Sequence, residues 1–468
     1  MLRIDDGLTP SDLLSQIHRL WDLSAAKIVS LEESWNPANG APVFTVAGRY
    51  TSRGWTDWTE GFQYGSALLQ YEATGERRFL ELGRSRIMKR MPQHLTHFGV
   101  HDHGFHIIST YGNLRRLILA GAASDGDLDV CETALRVSGA VQAHRWTPIV
   151  PHDDLPVQCG YIHSFNGPHS LFVDTIRSLR SLAVAHVLGQ TLKREQDEHI
   201  SLMDRLCAHA AATARYSVYY GEGRDIYDVR GRTAHECLFN PTNGTYRCPS
   251  TQQGYSPFST WTRGLAWAMC GFAEQLDFFE RAQQRTPAMD AVEPLILKAA
   301  RATCDYYTDI AAADGVPYWD TGAPGLTRMP DWPHRPAEPC NLWEPVDSSA
   351  AAIAAQALIR FGLYEQRHGK QAAGRRYLQA GLTTARTLFS PPYLSEDPAH
   401  QGLILHSVYH RPNGWDYVPA NCNVPCGESS MWGDYHAREL ALIVQRLAEG
   451  EPLPTFFGSI SGTAWNSE

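Results

Sequence analysis

Three short stretches hold the residues best suited to chemistry. The first, His97-Phe98-Gly99-Val100-His101-Asp102-His103-Gly104-Phe105-His106, is the densest polar cluster in the chain, with four histidines and one aspartate. Histidines two residues apart on a helix point in different directions, and the spacing matches no established zinc pattern, so no metal is expected there. Asp102 stands just ahead of a helical run, where it reads either as a catalytic or substrate-binding carboxylate or as a helix N-cap. The second stretch, Ser170-Leu171-Phe172-Val173-Asp174-Thr175-Ile176, sets Asp174 in an otherwise apolar helical pattern. Burial there predicts a raised pKa, which a general acid working near neutrality requires. The alternative is an aspartate paired with Arg177 or Arg180 on a helix surface. The third stretch runs from Gln252 and Gln253 through Trp261, Thr262, Arg263 and Gly264 to Trp267, leading from loop into helix. Trp261 offers a flat face for a sugar ring and Arg263 a two-point contact for a carboxylate, while Trp267 fits a plain core equally well.

Helices must position these groups. Apolar residues recur with helical spacing near 13–20, 60–73, 76–91, 104–121, 127–143, 170–188, 192–216, 259–281, 291–312, 347–365, 369–388 and 428–448, with no convincing set of alternating strands between them. Helices repeatedly end in a short polar link carrying Gly75, Gly189 or Gly369, where a C-cap favours positive φ, and another helix starts at once. Short links make neighbouring helices antiparallel. Six such hairpins closing in a ring predict an all-α (α/α)6 barrel; an open solenoid would show a fixed sequence period, and none is present. The irregular stretches 144–169, 217–258, 313–346 and 389–427 alternate with the hairpins and are expected to gather around a cleft at one end. No low-complexity linker interrupts residues 1–468, so a single domain is predicted.

Composition narrows the partners. A formal charge of −9 argues against nucleic acid, whose phosphates need clustered Lys and Arg. No apolar run is long enough to cross a bilayer. The first residues lack a basic segment followed by an apolar one, and ten scattered cysteines without a CxxC pair suit reduced thiols, so a cytoplasmic location is expected. The 13 Trp and 20 Tyr suit stacking on sugars, although they also fill cores.

Several motifs in a fixed order resemble a known family. Trp58-Thr-Glu-Gly-Phe with Tyr71-Glu-Ala-Thr-Gly, the His101-Asp102-His103-Gly104-Phe105 turn, the Asp174 segment, Gln253-Gly254 through Trp261-Thr-Arg-Gly-Leu-Ala-Trp267, Asp347-Ser-Ser-Ala-Ala-Ala-Ile and Trp432-Gly-Asp-Tyr resemble the unsaturated glucuronyl hydrolases of glycoside hydrolase family 88. A more distant resemblance is to the unsaturated rhamnogalacturonyl hydrolases of family 105. It implies an (α/α)6 barrel, no cofactor, and an oligosaccharide substrate ending in a 4,5-unsaturated uronic acid. By that resemblance the C4=C5 bond is hydrated, with Asp174 protonating C4 and activating the water, and Asp102 supporting it. His235, Gln253, Trp261, Arg263, Trp267 and Trp58 would then line the sugar site. This chain departs from the family at Pro257 and Phe258, where many members carry two acidic residues. The segments 217–234 and 320–343 also look enlarged, which bears on the leaving sugar. Three competing functions remain on sequence grounds. One is an exo-glycosidase acting on saturated glucuronides; another is a polysaccharide lyase using Tyr111 or His163 as base; the last is a non-catalytic oligosaccharide-binding protein.

Overall fold

A computed structural model describes residues 1–151, 153 and 158–457. Its helices, in chain order, are α1 (Leu14–Ser34), α2 (Glu60–Thr74), α3 (Arg77–Arg90), α4 (His103–Ile107), α5 (Asn113–Leu119), α6 (Leu128–His144), α7 (Thr175–Ser178) and α8 (Arg180–Val187). They continue with α9 (Leu202–Ala212), α10 (Thr262–Arg281), α11 (Pro287–Ile310), α12 (Ser348–Arg367), α13 (Gln371–Leu388) and α14 (Met431–Glu449). A wide π-helical turn, Ile108–Gly112, joins α4 to α5.

Packing arranges these helices as two concentric rings. α2, α4–α5, α7–α8, α10, α12 and α14 each touch the next in that order, and α14 returns to α2, which closes the inner ring. α1, α3, α6, α9, α11 and α13 pack outside them. The expected (α/α)6 barrel is the observed fold. Gly75, Gly189 and Gly369 take φ of 72°, 78° and 77° at hairpin links, as the sequence pattern required.

Each inner helix follows a long connection from its outer partner and is followed by a shorter link to the next outer helix. All six inner helices therefore start at the same end, and the irregular stretches gather there. Contacts among the starting residues trace that rim. His101 approaches Asp174, Arg263 reaches Asp347 and lies over the Trp432 ring, Trp432 stacks on Trp58, and Trp58 meets Phe105.

Two helix expectations change. The run 170–188 does not form one helix: Ser170–Phe172 is a strand, paired antiparallel with Glu236–Phe239, which pairs in turn with Tyr246–Ser250. A short apolar run reads alike for a buried strand and a helix turn, and here the partner strand decides. Likewise 192–216 begins as a small hairpin, Thr191–Lys193 with His199–Ser201, before α9.

Candidate active site

Asp102 and Asp174 each occupy the residue just before a helix, α4 and α7 respectively. Neither carboxylate hydrogen-bonds the helix it precedes. Asp347, in the same position before α12, caps Ser349 and Ala350 through its side chain. The capping alternative for Asp102 is thereby set aside, and its carboxylate is free for other work. Arg177 and Arg180 turn away from Asp174 toward Glu274 and Glu439, so the surface-pair alternative fails as well.

The backbone brings the two carboxylates together. A Cβ on Gly104 would lie 2.0 Å from the Ser178 carbonyl oxygen, so only glycine lets α4 approach α7 this closely. Ser178 Oγ accepts from the Gly104 N–H at 2.9 Å and donates to the His101 carbonyl at 2.6 Å. Gln142 Nε2 donates to the same carbonyl and to Ser178 Oγ, both at 2.9 Å. His101 is thus held with its Nε2 3.4 Å from Asp174 Oδ1 and 3.9 Å from Asp102 Oδ1. The ring is 2% exposed, and neither nitrogen has a hydrogen-bond partner.

The electrostatics reverse one expectation. Burial is the largest influence on Asp174 and pushes its carboxyl up, as anticipated. His101 and, further away, His235 and Arg263 outweigh it, and the carboxyl settles below its usual range. Asp102 is the one raised, by burial and by the charge of Asp174, with His101 and Arg145 opposing. Burial pushes the His101 imidazolium down, but the two carboxylates more than offset it and hold it above its usual value. Sequence reasoning missed His101 as the counter-charge because it stood as one histidine of four. Of its companions, His103 and His106 sit deeper, and His97 is only half-buried. His103 meets Ser138 and the His97 carbonyl, His106 is fully buried, and the nearby His94 pairs with Glu60.

The remaining expected residues fall into two groups. His235 packs on Phe172 and bears electrostatically on Asp174. Its Nδ1 accepts from the Gln252 and Gln253 N–H groups at 3.0 and 3.3 Å, which fixes the proton on Nε2. That Nε2 is buried without a partner, and burial pushes the imidazolium pKa down to about 4, leaving a neutral donor. Gln253 is half-buried and accepts from Arg263 through Oε1 at 3.0 Å. Trp58 keeps part of its surface open while stacking on Trp432 at 5.4 Å.

Three expected substrate contacts lie beneath the surface. Arg263 is 2% exposed, and both Nη groups are engaged, with Asp347 at 2.7 Å, Gln253, the Tyr409 carbonyl at 2.7 Å and the Val408 carbonyl. Its two-point grip on a substrate carboxylate is therefore corrected: the guanidinium ties three loops together behind the site. Trp261 is buried under Arg263 and against His235, with ring centroids 4.7 Å apart in the latter pair. Trp267 packs between Phe105 and His436 with Arg177 over its face, which is the core reading.

Tyr409 and His209 carried no sequence signal. Tyr409 comes from the irregular segment 389–427, packs on Trp432 and Trp415, and reaches Trp58. His209, on α9, accepts from Ile162 N–H through Nδ1 and leaves Nε2 buried and unpartnered near His101 and Asp174.

The fold is a helical toroid whose cleft end sets two buried carboxylates about the His101 ring. No protein-family model matches the chain. It is 26% identical over 408 residues to an unsaturated glucuronyl hydrolase of Bacillus sp. strain GL1, covering 84% of this chain and 88% of that one. A second unsaturated glucuronyl hydrolase, from Formosa agariphila, is 24% identical over 82% of this chain and 78% of its own. Among solved structures, the unsaturated glucuronyl hydrolase of Bacillus sp. GL1 superposes with a TM-score of 0.66 at 23% identity, covering 91% of this chain and 95% of that one. An unsaturated glucuronyl hydrolase specific for heparin superposes with a TM-score of 0.67 at 18% identity, over 93% and 97%. In sequence and in fold the chain is similar to unsaturated glucuronyl hydrolases.

Proposed function

We propose that this chain removes a 4,5-unsaturated uronic acid from the non-reducing end of lyase-generated oligosaccharides by hydrating its C4=C5 bond, with Asp174 as the proton-transfer residue. The observation that carries the reading is the His101 ring set between two buried carboxylates of unequal acidity. Without substrate, Asp174 is ionised against the His101 imidazolium, and the pair holds one transferable proton. A uronate entering the site adds a negative charge, which raises the affinity of Asp174 for that proton. The proton passes from His101 to Asp174 and on to C4; water adds at C5, and its proton returns to the Asp174 carboxylate. The resulting C5 hemiketal opens by breaking the C5–O5 ring bond, which leaves a ketone at C5 and a hemiacetal at C1. Collapse of that hemiacetal to an aldehyde releases the leaving sugar without nucleophilic attack at the anomeric carbon.

The scaffold suits an anion. Six inner helices direct their N-terminal, positively polarised ends toward this end of the barrel. The neutral His235 supplies a buried N–H, and Asp102, biased toward its protonated form, can donate to a ring hydroxyl or accept from one. Trp58 and Tyr409 provide aromatic surface beside them. The conjugated double bond of an unsaturated disaccharide absorbs in the ultraviolet, and hydration removes that absorbance. Steady loss of absorbance with glycosaminoglycan, gellan, xanthan or ulvan disaccharides is the expected result. No loss across the whole panel, with glucuronic acid released from an aryl glucuronide, would instead establish the saturated-substrate exo-glycosidase.

A further inference from the structure

Away from the carboxylates, two of the loops that reach the cleft end carry thiols that come together. Cys422 and Cys426 lie in Cys422-Asn423-Val424-Pro425-Cys426, within the irregular segment 389–427, and their sulfurs are 3.4 Å apart. Cys340 approaches Cys426 from the other loop, 313–346, within thiol hydrogen-bonding reach. The three differ in access: Cys340 is exposed, Cys422 partly so, and Cys426 is buried.

Both arms are braced. Cys422 N–H closes a turn on the Pro419 carbonyl at 2.9 Å, and Gly427 N–H, next to Cys426, donates to His406 Nδ1 at 3.0 Å. Asn341, next to Cys340, binds the Glu338 and Glu344 carbonyls and the Trp343 and Glu344 N–H groups. Among the described residues no three His, Cys, Asp or Glu side chains come together as metal ligands, which leaves sulfur–sulfur chemistry.

We propose that Cys340, Cys422 and Cys426 form a thiol–disulfide clasp between the two loops. With hydrogen peroxide as oxidant, the accessible Cys422 thiolate attacks the peroxide oxygen, giving a sulfenic acid and one water once the departing hydroxide takes up a proton. The buried Cys426 thiol, whose pKa burial raises, acts second. Its sulfur bonds to the sulfenic sulfur, and its proton leaves with the hydroxyl as a second water. Two thiols have then lost two electrons and two protons, and the peroxide has become two waters. The exposed Cys340 thiolate next attacks Cys426 sulfur, forming the inter-loop disulfide and releasing Cys422 as thiolate.

The clasp bears on the site through Arg263. Asp347 follows the Cys340 loop, while the Val408 and Tyr409 carbonyls belong to the Cys426 loop, and all three hold the same guanidinium. Joining Cys340 to Cys426 ties together the two arms that clamp it.

Peptide mapping of the reduced, full-length protein after titration with hydrogen peroxide tests this directly. Tryptic segment 387–438 contains only Cys422 and Cys426, and segment 329–360 only Cys340. Expected first is a 387–438 peptide lighter by two hydrogens, then a dithiothreitol-sensitive cross-link to 329–360. Cys340→Ser should abolish the cross-link and retain the two-hydrogen loss, and Cys426→Ser should abolish both. Oxidation of the three thiols only to sulfinic or sulfonic acids would overturn the proposal. So would disulfides forming at the same rate among the other cysteines, such as Cys237 with Cys248.

Discussion

Two buried charge clusters share the α7–α8 segment of this barrel, and they are built on opposite principles. In the core, every guanidinium nitrogen of Arg177 has a partner: Nε and Nη2 donate to Glu274 at 3.1 and 3.0 Å, Nη2 also to Glu439 at 3.0 Å, and Nη1 meets His436. Arg180 adds a contact to Glu274 at 3.4 Å and donates to the Gly104 carbonyl at 2.9 Å. Burial pushes the Glu274 and Glu439 carboxyls up, but the two arginines outweigh it and hold both below their usual range. One layer nearer the cleft, His101 has neither ring nitrogen hydrogen-bonded, and Asp174 Oδ1 and His235 Nε2 are also without hydrogen-bond partners. A buried polar atom without a partner costs stability. In the first cluster Arg177 is fully satisfied and only Arg180 Nε lacks a partner, whereas the second leaves atoms of His101, Asp174 and His235 unpaired, which on the proposed function a substrate would engage.

The sharpest break between the two is expected at Asp174. Asp174→Asn keeps the shape and removes the transferable proton, so turnover should fall by about 10²–10⁴-fold, the usual range for a general acid–base group. Thermal stability and disaccharide binding should be nearly unchanged, as read by melting and by equilibrium titration. An Asn variant with ordinary turnover would remove Asp174 from the chemistry. Glu274→Gln should do the reverse. Stranding Arg177 and Arg180 in the core is expected to lower unfolding free energy by about 3–5 kcal/mol, measured in urea, with turnover per folded molecule retained well below the melting temperature.

The sequence displayed the fold more fully than the site, for a physical reason. Helical periodicity and the three hairpin glycines are local properties, so six hairpins could be read from spacing alone. The residues Asp102 and Asp174 also stood out locally. Their protonation did not, because it depends on His101 facing both carboxylates, a contact created when Gly104 lets α4 meet α7. Arg263 shows the same limit: its residue type suggested a substrate grip, but the acceptors that occupy it come from 253, 347 and 408–409, remote in the chain. Trp58 and Trp267 have the same chemistry and opposite exposure, and periodicity within one helix could not separate them.

The pH profile probes the cluster more finely. With Asp174 held low and His101 held high, the form with one proton on the pair spans the interval between their two pKa values. The kcat/KM should therefore fall on the acid side only below the usual carboxylate range, where both groups protonate. On the basic side it should fall above about 6.5, the ordinary histidine value, as the imidazolium is lost. His101→Gln removes the imidazolium, so Asp174 alone must hold the proton and the basic limb should move down toward the carboxylate range. An unmoved basic limb in that variant, with activity retained, would show that the proton is held elsewhere.

The smallest effect is expected at the rim, where the comparison turns from charge to apolar surface. Tyr227 and Phe258 stack at 4.4 Å with their planes 25° apart, and both are exposed, at 43% and 45%. Arg232 fastens the two loops beneath them through the Tyr227 and Pro257 carbonyls. A contact made equally in the ground and transition states changes KM and leaves kcat alone. Phe258→Ala should therefore raise KM for a disaccharide by about tenfold or less, the scale of a single aromatic contact of 0.5–1.5 kcal/mol. Its kcat should stay close to that of the unmodified chain, because the leaving sugar is remote from C4 and C5. A fall in kcat equal to the fall in kcat/KM would place this pair among the groups that act in the transition state, and the division between a reactive floor and a passive rim would then be wrong.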